Sequence, residues 1–338
     1  MCPCCRGRPW PPRMSGEVSI TVCLCTHNRP HYAAACLDGL RRQSVGADGF
    51  EILVIDSAGA GAVPAQLAAL VAGVVNARLL RVAQAGVSAA RNLGAQAARG
   101  EYIAYIDDDA IPAPDWIACI RAAIAEHRPA VLAGRVLPLW ERALPAWWPS
   151  GLRGVLSIIE WERGGEFRGA ALPAGLVPCA ANMTVHLPAL REVGGFTAGL
   201  GRYGAALLSD EEVQFAWKLQ ACGHSVRYDP RPVVRHQIQA ARMCPAWLLS
   251  RLYWQGASTV GTRRILRDPG SVWRELPRRL AVAVMLAPVA LIPPRSERLI
   301  FLRWRFAYAA GFVRAAFGWR ADRAARGRVS GRRVLVGS

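Results

Sequence analysis

Glu101-Tyr-Ile-Ala-Tyr-Ile-Asp-Asp-Asp109 is an apolar run closed by three consecutive carboxylates. Its aromatic and β-branched residues predict a buried strand over residues 102–106. Three acids side by side repel one another and raise each other's pKa. A divalent cation removes that penalty, and oxygen ligands suit Mg²⁺ or Mn²⁺. A solvated acidic turn is the plainer alternative. The flanking sequence favours the cation: Ile111-Pro-Ala-Pro114 beyond the acids is stiff, and Arg91 lies on a helix just upstream. A metal beside an arginine makes chemical sense where both hold a diphosphate.

Toward the N-terminus, residues 18–25 and 51–56 read as buried strands and 77–82 as a short one, with helices over 31–43, 66–75 and 88–98. Strands alternating with helices imply an α/β fold with a mostly parallel sheet and right-handed crossovers. Ligands of such sheets bind outside the carboxyl ends of the strands, where Thr26, Asp56 and Asp107, Asp108 and Asp109 all fall. No Gly-x-Gly-x-x-Gly follows the first strand and no Walker motif is present, which excludes the common dinucleotide and P-loop readings. Beyond the acids come a helix over 116–126 and a strand over 130–136. Residues 138–176, rich in Trp, Pro and Gly, read as loops and short pieces over the sheet. Residues 182–186 are extended, Gly194-Gly-Phe196 turns the chain, and Asp210-Glu-Glu212 opens a helix that closes at Gly223. Two short extended pieces follow at 225–228 and 233–236. The acids at 210–212 fit a plain helix N-terminus, where negative charge is stabilised, as well as a catalytic carboxylate.

The 338 residues are 52% hydrophobic and 20% charged, enough for a substantial core. The net charge of +18 is concentrated at one end: from Arg235 to Ser338, 20 arginines face four acids. Cys23 and Cys25 share a strand face and the other cysteines are scattered, so reduced thiols are expected. Cys2, Cys4 and Cys5 lack a second ligand pair at zinc-finger spacing. No apolar window reaches about 18 residues and the first residues carry no hydrophobic stretch, so neither a span nor a secretory signal is expected, and the location is read as cytoplasmic. Met14 reads as the natural start, with residues 1–13 a translation artefact.

In the basic third, residues 247–256 read as an amphipathic helix. Residues 280–292 are apolar and contain Pro288, too short a run to span a membrane alone. Residues 301–319 interleave Phe and Trp with Arg303, Arg305 and Arg314, the composition of a helix lying on an anionic membrane surface. That reading places the protein at the cytoplasmic face of the membrane; a packing extension with a solvated arginine face is the alternative. No nucleic-acid-binding fold is apparent, so no nucleic acid is expected as a partner.

Gly86-Val-Ser-Ala-Ala-Arg-Asn-Leu-Gly94, the acidic strand end, Val18 to Pro30, Gly194-Gly-Phe196, Asp210-Glu-Glu212 and Val233-Val-Arg-His236 occur in order. Together they resemble the inverting family 2 glycosyltransferases of the GT-A fold. The resemblance implies an N-terminal tail at 1–16, a GT-A domain at 17–240 (a nucleotide-binding half at 17–115 and an acceptor-binding half at 116–240) and a basic helical region at 241–338. It implies that Thr26 and Asp56 line the nucleotide pocket, that Arg91 faces the diphosphate, and that Asp107 or Asp108 touches the ribose or sugar. Asp109 would coordinate Mg²⁺ or Mn²⁺, with Asp107 and His236 as further ligands. The family's Glu-Asp pair falls on Glu211 and Glu212, with Glu212 the favoured base. Implied partners are a UDP-, GDP- or dTDP-sugar and a glycan or lipid-linked hydroxyl acceptor. Two other classes fit less of the sequence: a non-catalytic membrane-associated scaffold, suggested by the Glu-Glu departure, and a nucleotidyltransferase.

Overall fold

The structure, a computed structural model, describes residues 20–83, 85–167, 178–198, 200–202, 206–266, 268–292 and 297–318. The expected tail at 1–16 and the end of the basic region from Trp319 lie outside them. The chain divides into two compact units, Met1–Leu248 and Leu249–Ser338. The division falls beyond the expected boundary at 240 and places Arg242 with the first unit.

In the first unit, β1 (Ile20–Thr26), β2 (Phe50–Ser57), β3 (Ala77–Val82) and β4 (Tyr102–Asp107) alternate with α1 (Pro30–Arg41), α2 (Val63–Ala72) and α3 (Val87–Ala97). The second half adds β5 (Ala110–Pro112), α4 (Trp116–His127), β6 (Val131–Trp140), β7 (Gly165–Phe167), β8 (Met183–His186), α5 (Leu187–Glu192), α6 (Glu211–Ala221) and β9 (Val226–Ile238). Among the described residues these strands join one sheet in the order β3-β2-β1-β4-β8-β6-β9-β5, with β7 on β9. The first four are parallel; β8 runs antiparallel to both β4 and β6, which makes the sheet mixed.

The first strands read as unbroken apolar runs because both of their faces are covered. Val22, Leu24, Ile52, Val54, Ala104 and Ile106 pack with Leu37, Leu40, Leu67, Trp116 and Ile120 from α1, α2 and α4. The alternate residues Cys23, Leu53, Ile55, Ile103 and Tyr105 pack with Ala90, Leu190, Phe215 and Leu219 from α3, α5 and α6. The two expected extended pieces at 225–228 and 233–236 are one strand, β9. Its register on β6 shifts between Ala133 and Arg135, and the extra residues bulge out at Pro230-Arg231-Pro232. Proline has no N–H for a ladder, which is why the sequence reads as a break. Asp229 closes the bulge by accepting the Arg231 N–H at 2.9 Å.

The second unit contains most of α7 (Pro245–Ile265), with α8 (Pro269–Ala290) and α9 (Glu297–Ala316). Val272 and Leu276 near the start of α8 pack with Phe312, Ala315 and Ala316 near the end of α9, so the two helices run antiparallel. No described helix is long and apolar enough to cross a membrane.

Candidate active site

Parallel register brings Thr26 level with Asp56, and Cys25 level with Asp107, so the sequence-predicted residues of three strands share one edge of the sheet. Asp56 is buried; its Oδ1 accepts the Gly59 N–H at 2.7 Å, and Arg81 stands 3.4 Å from its Oδ2. Thr26 is buried as well, and its hydroxyl donates to Asp108 at 2.7 Å.

The three acids part company at the strand end. Asp107 keeps 30% of its side chain exposed and lies 3.6 Å from Arg91. Asp108 is fully buried under Arg29, which binds it with two nitrogens. Burial pushes the Asp108 carboxyl up to about 7, with Arg29 pulling the other way. Asp109, also buried, is carried by the pairing of β5 with β9, where Ala110 stands opposite His236. Its Oδ2 accepts from Arg29, Arg242 and Gln239 at 2.9, 2.8 and 3.0 Å, and its Oδ1 lies 3.2 Å from His236 Nε2. Burial alone would raise the Asp109 carboxyl; His236, Arg242 and Arg29 hold it well below the usual range.

Asp109 and His236 stand close enough to share one ion. His236 is buried, and its Nδ1 lies 2.9 Å from the Leu156 carbonyl. That carbonyl only accepts, so Nδ1 directs a proton at it and Nε2 faces the Asp109 carboxylate. Orienting a ligand imidazole by a carbonyl on its other nitrogen is how metal centres fix the tautomer. Two ligands about 2.1 Å from one ion and at right angles lie about 3 Å apart, close to the spacing seen. Asp107 does not join them: its contacts are to Arg91, and among the described residues no three His, Cys, Asp or Glu side chains converge to hold an ion by themselves. Of the three expected ligands, Asp109 and His236 stand together and Asp107 stands apart.

Across the sheet edge, α6 begins with Glu211 and Glu212, both near its N-terminus. Arg91 on α3 is the link. Its Nη1 lies 3.0 Å from Glu211 and 3.2 Å from Glu212, its Nη2 reaches Asp107, and its guanidinium lies over the Phe196 ring at 5.5 Å. Arg91 is 3% exposed and ion-paired with these acids. Burial works against its charge, and Glu212, Glu211 and Asp107 more than offset this, raising its pKa well above normal. Burial, and then the neighbouring Glu211, push the Glu212 carboxyl up to about 7. Glu211 is the more buried of the pair, and its Oε2 has no hydrogen-bond partner.

Gly194 and Gly195 both adopt positive φ, +73° and +72°, where a side chain is strained. Asn92, next to Arg91, clamps this turn by donating to the Phe196 carbonyl and accepting the Phe196 N–H, each at 2.9 Å. The turn therefore fixes Phe196 against Arg91.

Sequence reasoning passed over Arg29, Gln239 and Arg242. Arg29 was visible, since it lies between Thr26 and Pro30 in the quoted opening motif. Gln239 and Arg242 carry no local signal; they matter because β9 delivers them beside Asp109.

Residues 21–181 match the model for "Glycosyl transferase family 2". The match includes Arg91 and the three aspartates and stops before Glu211, Glu212 and His236. Relatives include a glucosyl-dolichyl phosphate glucuronosyltransferase of Haloferax volcanii, 28% identical over 51% of this chain and 54% of that protein. A pre-mycofactocin glycosyltransferase of Mycobacterium tuberculosis is 25% identical over 75% of this chain and 49% of that protein. The chain spans about half the length of these curated relatives. Among solved structures, the mannosyltransferase PcManGT from Pyrobaculum calidifontis, in complex with GDP-Man and Mn²⁺, superposes with a TM-score of 0.56 at 17% identity, covering 91% of this chain and 90% of that one. Residues 1–349 of S. aureus TarS in complex with UDP superpose with a TM-score of 0.52 at 15% identity, covering 89% and 91%. The fold is GT-A, as the resemblance implied.

Proposed function

We propose that the protein moves a sugar from a nucleoside diphosphate donor to a hydroxyl acceptor with inversion at the anomeric carbon, Glu212 serving as the base. The observation that carries the reading is the Arg91 guanidinium, which ties the donor-side Asp107 to the acceptor-side Glu211 and Glu212. A carboxylate whose pKa lies near the working pH is well matched to removing a hydroxyl proton. Arg91 keeps Glu212 beside the strand ends, and Glu211 at the helix start holds that guanidinium in place. Asp56 supplies an acceptor to the base or ribose of the donor. Asp109 and His236 are the residues that would hold Mg²⁺ or Mn²⁺, which neutralises charge on the departing diphosphate when bound. The hydroxyl oxygen forms its bond to the anomeric carbon as the carbon–phosphate oxygen bond breaks, and the proton passes to Glu212. One displacement inverts the configuration.

The donor is taken to be a UDP-, GDP- or dTDP-sugar; structural neighbours solved with UDP and with GDP-Man and Mn²⁺ support that class. A relative named for a dolichyl phosphate substrate supports a lipid-linked acceptor. The reading is tested by incubating the protein with a donor panel and Mn²⁺. Release of UDP, GDP or dTDP with an inverted product anomer is expected. Pyrophosphate release from a nucleoside triphosphate with a sugar 1-phosphate would make it a nucleotidyltransferase, and no release from any of these substrates would leave a scaffold.

A further inference from the structure

The second unit carries a surface that nothing in the transferase chemistry uses. Trp273, Pro277, Leu280, Val284, Ala287 and Leu291 recur at helical spacing along α8 and just past its end, and all are exposed. Val284, Met285 and Leu291 are 66%, 76% and 88% exposed, far above what a soluble helix leaves bare over consecutive turns. The neighbouring face of α8 packs on α9, through Val272 and Leu276. The aromatic stretch at 301–317, which the composition offers as the lipid-facing segment, is divided: Phe301 and Phe317 are exposed, while its middle packs inward. Phe312 is buried, and the Tyr308 hydroxyl donates to Thr259 on α7 at 3.0 Å.

Charge lies beside the apolar stripe. Arg274 and Arg278 are exposed next to Trp273 and Pro277, and Arg298 and Arg305 are exposed on either side of the half-exposed Phe301 at the start of α9. Since α8 and α9 run antiparallel, the beginning of α9 accompanies the uncharged end of α8, residues 280–292. An uncharged apolar helix end with arginines at its margins matches a lipid surface, with acyl chains to receive the side chains and anionic headgroups to meet the guanidinium groups. Neither helix is apolar enough to cross.

We propose that the α8 stripe seats in the outer layer of an anionic membrane, held at the headgroup level by Arg274, Arg278, Arg298 and Arg305. The occupant is an anionic lipid surface. A second copy of the chain would bring these arginines against the same arginines, and like charges disfavour that pairing.

The test is sedimentation of the full chain with vesicles of phosphatidylcholine alone and with about one third phosphatidylglycerol, alongside light scattering without lipid. Wild type is expected to bind the anionic vesicles at least tenfold more tightly than the neutral ones. The combined variant Val284→Ser, Met285→Ser and Leu291→Ser should lose at least tenfold of that binding, with unchanged near-ultraviolet dichroism and unchanged nucleotide release in lipid-free solution. The combined variant Arg278→Glu, Arg298→Glu and Arg305→Glu should lose the preference for anionic vesicles. The proposal is overturned if wild type ignores anionic vesicles, if the serine variant binds like wild type, or if lipid-free wild type is a dimer that the serine variant converts to monomers. Because nucleotide release is read separately, failure here leaves the transferase reading standing, and loss of release in wild type leaves this one standing.

Discussion

Asp109 divides its two oxygens between unlike neighbours. Oδ2 is occupied by Arg29, Gln239 and Arg242, while Oδ1 faces His236 Nε2 at 3.2 Å. Asp109→Asn keeps the shape and removes the charge. It should weaken Mn²⁺ uptake at least tenfold by calorimetry; unchanged uptake would move the ion elsewhere. Glu212 supplies a second prediction. With its carboxyl at about 7, the rate of transfer should rise with pH along an acid limb centred near 7. A limb near the ordinary value of 4.5 would assign the base to a different carboxylate. The folded protein holds this proton up to about 7 while the unfolded chain releases it near 4.5, so this group's contribution to stability falls as pH rises across that window. The acids of the site were legible in the sequence because three in a row after an apolar strand are conspicuous. Their cationic partners were not. Arg29 and Arg242 are two of 42 basic residues, and only folding brings them to one carboxylate.

At the scale of elements, the Gly194-Gly195 turn joins α5 to Phe196 and the Asn92 clamp. A Cβ on Gly195 would lie 2.6 Å from Asn92 Oδ1, and the backbone there is left-handed. Gly195→Ala should therefore cost about 1–3 kcal/mol, read as a lower denaturation midpoint. In the second unit, Glu275 accepts from Arg263 on α7 and Arg279 on α8. Burial would raise its carboxyl, and the two arginines hold it below the usual range. Its contribution is full above the ordinary carboxylate range and is lost as pH falls through the lowered value. Glu275→Gln should cost about 1 kcal/mol near pH 7, discounted for its partial exposure, and the cost should shrink in acid. The first strands and helices were readable within a residue or two because apolar runs alternate with 3.6-residue periods, except α2, which starts and ends three residues before the expected 66–75. β9 was not, since Pro230 and Pro232 interrupt its pattern while Asp229 and Arg231 restore its geometry.

For the molecule as a whole, the account rests on two halves of one sheet meeting at Arg91. The N-terminal half supplies Asp56 and the three aspartates; the C-terminal half supplies Glu211, Glu212 and His236. The order of these pieces was legible because each ends a patterned segment. Their partition into units was not, since the shift to a basic composition begins at Arg235, inside β9, whereas the compact division follows Leu248. In the proposed reaction Glu212 acts on the acceptor and not on the donor. The most direct measurement compares donor affinity by calorimetry with turnover by nucleotide release, for wild type and Glu212→Gln, using the donor that wild type cleaves. The account predicts donor affinity within about twofold and turnover reduced by at least about a hundredfold, the scale of general-base catalysis. Turnover within threefold of wild type, with the donor still bound, would contradict it.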